Sequence, residues 1–355
     1  MQEAMNDKIL EEDIIDIANS SFLNEELLRN KSIFVTGATG LIGSQIIKTL
    51  SYLNTSKKLN MRLILLIKDS NKEKRIFGDL LQRDYFKIIN GDILSDIDIE
   101  DNIDYIIHCA CPTASKFFVE YPVETLDVII NGTRNVLELA KNKIVSSFVF
   151  LSSLEVYGKP LNNKMINEDD YGYIDNLNIR SSYSEGKRMA ELMCISYCKE
   201  FNIPVKIARL SQTFGTGVEY NDNRVFAEFI RCAIEKKDII LHTQGNTIRT
   251  YCYTKDAITA ILFLMLYGEN GEAYNVTNAD TAITIKEMAQ LVCDVFKESN
   301  ICVRIEIPNN VEKYGYNPEM VIKMSTEKIN KLGWKASTGL EEMFKRMKKS
   351  IEYRI

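Results

Sequence analysis

Apolar residues recur along this chain with two alternating periods. Short β-branched runs fall at Ser32–Thr36, Arg62–Ile67, Phe86–Ile89, Tyr105–Cys109, Ser147–Leu151 and Val205–Arg209, and each predicts a buried strand. Between them lie stretches of helical spacing: one from Leu41, one over Val123–Lys141 and one over Ser182–Phe201. Strands separated by helices predict an α/β protein with a parallel, doubly wound sheet of Rossmann type.

The pattern changes after Leu210. Glycine and polar residues cluster from Gly215 to Arg224. A helix near Val225–Lys236, an extended piece at Ile239–Leu241, a helix over Thr254–Leu266 and a strand at Tyr274–Thr277 follow. These late segments predict a smaller α/β substrate domain over the carboxyl edge of the sheet, where open α/β sheets take their ligands. The expected division is a helical extension over residues 1–30, a dinucleotide-binding domain over 31–210, and a mainly substrate-binding domain over 211–355 that returns some segments to the first sheet. In the extension, Ile9, Ile14, Ile15, Ile17 and Ala18 sit at helical spacing among acidic residues.

At 355 residues the chain suits about two domains of roughly 100–200 residues each. Its net charge of -5 carries no nucleic-acid footprint, so an anionic ligand must be held by local groups. Eight cysteines form no CxxC pair, and with only His108 and His242 a metal site is not expected. They read as small buried hydrophobes of a reducing cytoplasm. No apolar run approaches the ~18 residues of a membrane span, and the first residues do not read as a signal peptide. A soluble cytoplasmic protein is expected.

Two motifs carry chemistry. The segment Thr36-Gly37-Ala38-Thr39-Gly40-Leu41-Ile42-Gly43 lies between a strand and a helix. Glycines let backbone approach a pyrophosphate, and the N–H groups of a helix starting at Leu41 point at that anion. Gly43 is expected to let helix and strand pack closely. After the second strand an acid would grip the ribose of NAD. Here Lys68 precedes Asp69, so NADP, with its extra phosphate, is a second cofactor reading beside NAD. Asp92 either accepts from the adenine amino group or is a turn residue.

The second motif is Tyr183-Ser184-Glu185-Gly186-Lys187, with Tyr183 and Lys187 one helical turn apart on one face. An ammonium beside a phenol favours the phenolate. Such a tyrosine can take a proton from a sugar hydroxyl while hydride leaves the same carbon. Ser153, at a strand end, can hydrogen-bond that oxygen.

With these motifs the chain resembles the extended short-chain dehydrogenases that act on nucleotide sugars, over about residues 31–340. Cys111-Pro112-Thr113-Ala114-Ser115, Ser153-Leu154-Glu155-Val156-Tyr157-Gly158, Arg180 to Arg188, Arg209 to Gly215 and Ile248-Arg249-Thr250-Tyr251 are most like UDP-glucuronate decarboxylases. The resemblance implies Tyr183 as base, Lys187 as its partner on the nicotinamide ribose, Ser153 on the reacting hydroxyl and Glu155 near the sugar. It implies Arg249 at the substrate's charged groups and Arg224 at the diphosphate. Thr39, Leu41, Ile42, Ile93 and Ala110 would join the cofactor site, and Thr113, Arg180 and Gln212 the substrate site. A nucleoside-diphosphate sugar is the implied partner. A homodimer through helices Val123–Lys141 and Ser182–Phe201 is implied as well.

Three positions depart from that pattern: Leu154 where a hydroxyl residue is usual, Gln212 in place of asparagine, and Lys68 in place of an acid. The implied reaction begins with oxidation at sugar C4. Decarboxylation leads; 4-epimerisation and ketone reduction remain alternatives, and 4,6-dehydration fits less well. A noncatalytic dinucleotide-binding protein or a structural subunit could share the fold, but intact Ser153, Tyr183 and Lys187 favour an enzyme.

Overall fold

Seven parallel strands form the main sheet of the computed structural model, which describes residues 7–308 and 319–355. Across the sheet they run Glu272–Val276, Val205–Leu210, Ser147–Ser153, Tyr105–His108, Ser32–Thr36, Arg62–Ile67, Phe86–Asn90. The first three strands in sequence step outward from Ser32–Thr36, and Tyr105–His108 then pairs on its other side. The switch point therefore lies between Ser32–Thr36 and Tyr105–His108, beside the glycine turn. This is the doubly wound α/β class expected from the sequence.

Such strands are covered on both faces and need not alternate with polar residues. Arg62–Ile67 is buried from its second residue onward. Alternate side chains feed two cores. Ile33, Val35, Leu63 and Leu65 meet the helices Leu41–Ser56 and Thr254–Tyr267. Phe34, Ile64, Ile106 and Phe148 meet Pro122–Lys143 and Ser181–Phe201.

A second, five-stranded sheet joins Gln212–Phe214, Ile248–Tyr253, Asn278–Thr284, Val321–Met324 and Met165–Ile166. The two sheets exchange chain: Met165–Ile166 leaves the first half to pair with Val321–Met324, and Glu272–Val276 returns to pair with Val205–Leu210. Phe214, Phe226, Tyr251, Met288 and Phe344 form a core here, below the helices Val225–Glu235, Ile285–Val295 and Leu340–Glu352.

Some boundaries differ from the pattern. The helix expected at Val123 starts at Pro122, because proline suits a first helical position, and it runs to Lys143. The fourth strand stops at His108, before the chain turns into the cleft. A helix at Ser70–Phe77 carries no clear apolar stripe; Asp69 starts it by accepting from the N–H groups of Asn71 and Lys72. In the extension, Lys8–Ala18 is a helix with Ile9, Ile14, Ile17 and Ala18 buried. Among the described residues no helix is long and apolar enough to cross a membrane.

Candidate active site

The glycine turn comes very close to the loop after the fourth strand. Gly37 has φ +66, and a Cβ there would lie 2.7 Å from the backbone of Cys109 and Ala110. Gly43 works differently from expectation. A Cβ at Gly43 would strike the Gly37 carbonyl, so it makes room inside the turn rather than between helix and strand. The helix Leu41–Ser56 begins at Gly40 without a side-chain cap, which leaves its first N–H groups for an anion. The cradle fits a dinucleotide pyrophosphate.

A cleft of 710 Å³ opens at this edge of the sheet. Its walls include Gly37, Thr39, Gly40, Leu41, Ile42, Gly43, Lys68, Asp92, Ile93 and Ala110 from the expected cofactor set. They also include Thr113, Ser153, Glu155, Tyr183, Lys187, Gln212 and Arg224. Arg180 and Arg249 are not wall residues; both act on Glu155 from beyond the surface.

At the end of the second strand, Lys68 pairs with Asp92 at 2.6 Å. That hydrogen bond is the chief cause holding the Asp92 carboxyl below its ordinary range, with a further bond from the Leu94 N–H. Asp69 accepts through Oδ1 from the N–H groups of Asn71 and Lys72 and caps the helix Ser70–Phe77.

Tyr183 is buried and stacks on Phe118, with ring centroids 4.2 Å apart at 13°. Burial pushes its phenol well above the ordinary value, and the nearby Cys111 and Glu155 add to this. A hydrogen bond with Ser153 and the charge of Arg180 pull the other way without winning. The expected route of the phenol toward neutral pH combined the Lys187 ammonium with the positive charge of an oxidised nicotinamide. Lys187 Nζ donates to the Leu151 carbonyl at 2.8 Å and stands 5.9 Å from the centre of the Tyr183 ring. Desolvation outweighs the positive charge that the chain's own residues bring to the phenol.

Ser153 ends its strand and accepts from the Glu155 N–H at 3.2 Å, which fixes the short helical turn Leu154–Tyr157. Glu155 accepts from Arg180 Nη2 at 2.9 Å and from the Ser184 hydroxyl at 3.0 Å. Burial alone would raise this carboxyl, but Arg180, Arg249 and the two hydrogen bonds outweigh it, and Glu155 lies below its ordinary value. Arg249 is 8% exposed, and its Nη1 has no hydrogen-bond partner among the described residues. A buried guanidinium N–H without an acceptor is costly and suits an oxygen-bearing ligand. Arg224, on the cleft wall, donates from both Nε and Nη2 to Asp222.

Sequence reasoning missed several neighbours. Cys111 lines the cleft beside Lys187; burial pushes its thiol up while Lys187 opposes this. Ser184 stood next to Tyr183 in the motif, yet only its contact with Glu155 gives it a task. Phe118 carried no signal. His108, buried between the hydroxyls of Thr36 and Thr133, is pushed by desolvation to about 3 and stays neutral. Among the described residues no group of three or more His, Cys, Asp or Glu is placed to hold a metal ion.

Known proteins share both pattern and fold. UDP-glucuronic acid decarboxylase 6 of Arabidopsis thaliana is 28% identical over 339 residues, 96% of this chain and 93% of that protein. UDP-glucuronic acid decarboxylase 1 of Danio rerio is 31% identical over 273 residues, 76% of this chain and 62% of that one. A variant of UDP-glucuronic acid 4-epimerase from Bacillus cereus, solved with UDP-4-deoxy-4-fluoro-glucuronic acid and NAD, superposes with a TM-score of 0.75. It is 19% identical, covering 91% of this chain and 100% of that one. Residues 33–277, spanning the glycine turn, the cleft and the Tyr183 helix, match the NAD dependent epimerase/dehydratase family, and the chain belongs to that family.

Proposed function

We propose that this enzyme oxidises C4 of a UDP-linked hexuronic acid and then releases its C6 carboxylate as carbon dioxide. The observation that carries this reading is the Glu155 cluster. An ionised carboxylate is flanked by Arg180 and by an Arg249 that retains a buried, unpartnered N–H. The likeness to UDP-glucuronic acid decarboxylases supports it.

NAD, when bound along the glycine cradle, supplies the acceptor for the hydrogen and electron pair leaving C4. Tyr183 as phenolate receives the O4 proton; the positive charges of Lys187 and of an oxidised nicotinamide would both favour that form. Ser153 holds the same oxygen, and Lys187 orients the ribose. The 4-ketone makes the C6 carboxylate a β-keto acid. Its C5–C6 bond breaks, carbon dioxide leaves, and the electron pair passes to C5 as an enolate that is then protonated. The hydrogen and electron pair taken from C4 would then return to the ketone carbon and the Tyr183 proton to O4, so that the net change is loss of carbon dioxide alone. Arg249, just behind the cleft wall, would bind a substrate oxygen through its unpartnered N–H. Residues 211–355 contribute much of the sugar side through Gln212 and Arg224.

NAD is favoured over NADP because Lys68 already has a carboxylate partner. A homodimer is part of this reading. Val123, Met189 and Leu192 stand 65%, 49% and 60% exposed on the two helices concerned, and light scattering tests it. For the activity, the enzyme is incubated with UDP-glucuronate and NAD, and the products are weighed by mass spectrometry. Loss of one carbon dioxide is expected. A product of unchanged mass, or none, would replace this reading with epimerisation or another substrate.

A further inference from the structure

Asp13, on the helix Lys8–Ala18, is 0% exposed. Its Oδ2 accepts from the Tyr253 hydroxyl at 2.5 Å and from the Thr216 hydroxyl at 2.8 Å, and its Oδ1 accepts from Arg346 at 2.9 Å. A carboxylate taken out of water costs several kcal/mol unless donors surround it, and such a group serves best where it fixes one arrangement. Three donors from three separate parts of the chain meet here.

What they fix is the 215–217 turn. The Thr216 carbonyl accepts from Gln45 Nε2 at 2.7 Å, on the same helix that begins at the glycine turn. The Gly217 N–H donates to the Ser350 hydroxyl at 3.3 Å, and Ser350 in turn donates to Asp7, the cap of the amino-terminal helix. Gly217 has φ +80, and a Cβ there would lie 2.7 Å from Gln45 Nε2, so the turn sits tight against the cofactor helix. It follows directly on Gln212–Phe214, whose Gln212 and Thr213 line the cleft, and it leads to Arg224 on the same wall.

We propose that Asp13 is a positioning residue for substrate binding, holding the 215–217 turn, and with it Gln212, Thr213 and Arg224, in register with the cofactor helix. The assignment of that wall to substrate rests on the function proposed above. The Tyr183 group comes from other elements, Ser147–Ser153 and Ser181–Phe201. The brace therefore acts on affinity for the nucleotide sugar, and not on the chemical step.

The test uses the full chain loaded with NAD and two variants, Asp13→Asn and Thr216→Val. The second removes only one hydroxyl, so it carries the test if the first does not fold. Amide hydrogen exchange is expected to speed up within 212–224 while 147–153 and 181–201 keep their protection. KM for UDP-glucuronate should rise about fivefold or more, the worth of one hydrogen bond, with kcat and NAD affinity little changed. Folded variants with unchanged KM and unchanged exchange in 212–224 would overturn the proposal. So would a joint loss of kcat, KM and NAD affinity with protection lost throughout. If wild type does not act on UDP-glucuronate, the proposed function fails by itself, and the exchange pattern still decides the role of Asp13.

Discussion

Arg180 reaches across the site to Glu155, guanidinium Nη2 to carboxylate Oε1 at 2.9 Å, with side chains only 14% and 17% exposed. The pair keeps Glu155 ionised despite burial. Because the folded value is depressed below the ordinary 4.5, the stability Glu155 contributes is present above 4.5 and is lost as pH falls through the lower folded value. The acid limb of kcat/KM in the wild type should therefore not report Glu155 above pH 4.5. In Arg180→Met burial would dominate, the carboxyl would rise, and the acid limb should move to higher pH. Superimposable acid limbs would remove Arg180 from this role.

Replacing Tyr183 by phenylalanine deletes the proton acceptor and leaves the ring stacked on Phe118. Turnover should fall by about 10²-fold or more, the usual worth of a positioned general base. NAD binding, followed by fluorescence or calorimetry, should stay near wild type. A variant that turns over normally would exclude Tyr183 from the chemistry.

Leu154 is buried among Val156, Tyr157 and Ile166, and it also lines the cleft. A leucine side chain cannot donate a proton, and Glu155 beside it is held ionised. Elimination of water from C6 needs an acid at the leaving hydroxyl, worth about 10²–10⁴-fold. No significant 4,6-dehydratase activity is expected on UDP-glucose or dTDP-glucose. Appearance of a product lighter by one water would refute the argument from Leu154.

The Lys68–Asp92 pair bears on cofactor choice. Gripping a 2′-phosphate would require Lys68 to leave or share its 2.6 Å partner. NAD should bind more tightly than NADP. Lys68→Ala should shift the ratio of the two affinities by less than tenfold, about 1.4 kcal/mol. Titration of both dinucleotides into stripped protein checks this, and a clear NADP preference that disappears in the variant would reverse the assignment.

Ile144 ends the helix Pro122–Lys143 with φ +52 and is 90% exposed. A β-branched residue in the left-handed region costs roughly 1–2 kcal/mol, and this one has little packing to lose. Ile144→Gly should stabilise the protein by about 1 kcal/mol, after allowing for the greater freedom of glycine when unfolded. A denaturation midpoint at or below wild type would show the strain to be relieved some other way.

Local periodicity and motif spacing carried the fold class and the two chemical motifs. A run such as Arg62–Ile67 can hardly be anything but a strand buried on both faces, and the spacing of Tyr183 and Lys187 on a helix sets them on one side whatever else surrounds them. Glycines at 37, 40 and 43 between strand and helix marked the cradle for the same reason: their spacing and neighbours are local. The strand exchange between the two sheets could not be read this way, since Met165–Ile166 is two residues long and gains its meaning only from Val321–Met324.

Charge partnership was decided by tertiary structure alone. Arg180 and Glu155 lie 25 positions apart, Asp13 and Tyr253 lie 240 apart, and no local pattern links either pair. Burial, too, is set by the whole fold. Lys187 donates to the Leu151 carbonyl, and desolvation pushes the Tyr183 phenol up against the pull of Ser153 and Arg180. Residue type fixes what a group can donate or accept. How much charge and how little water surround it depends on which distant segments fold against it.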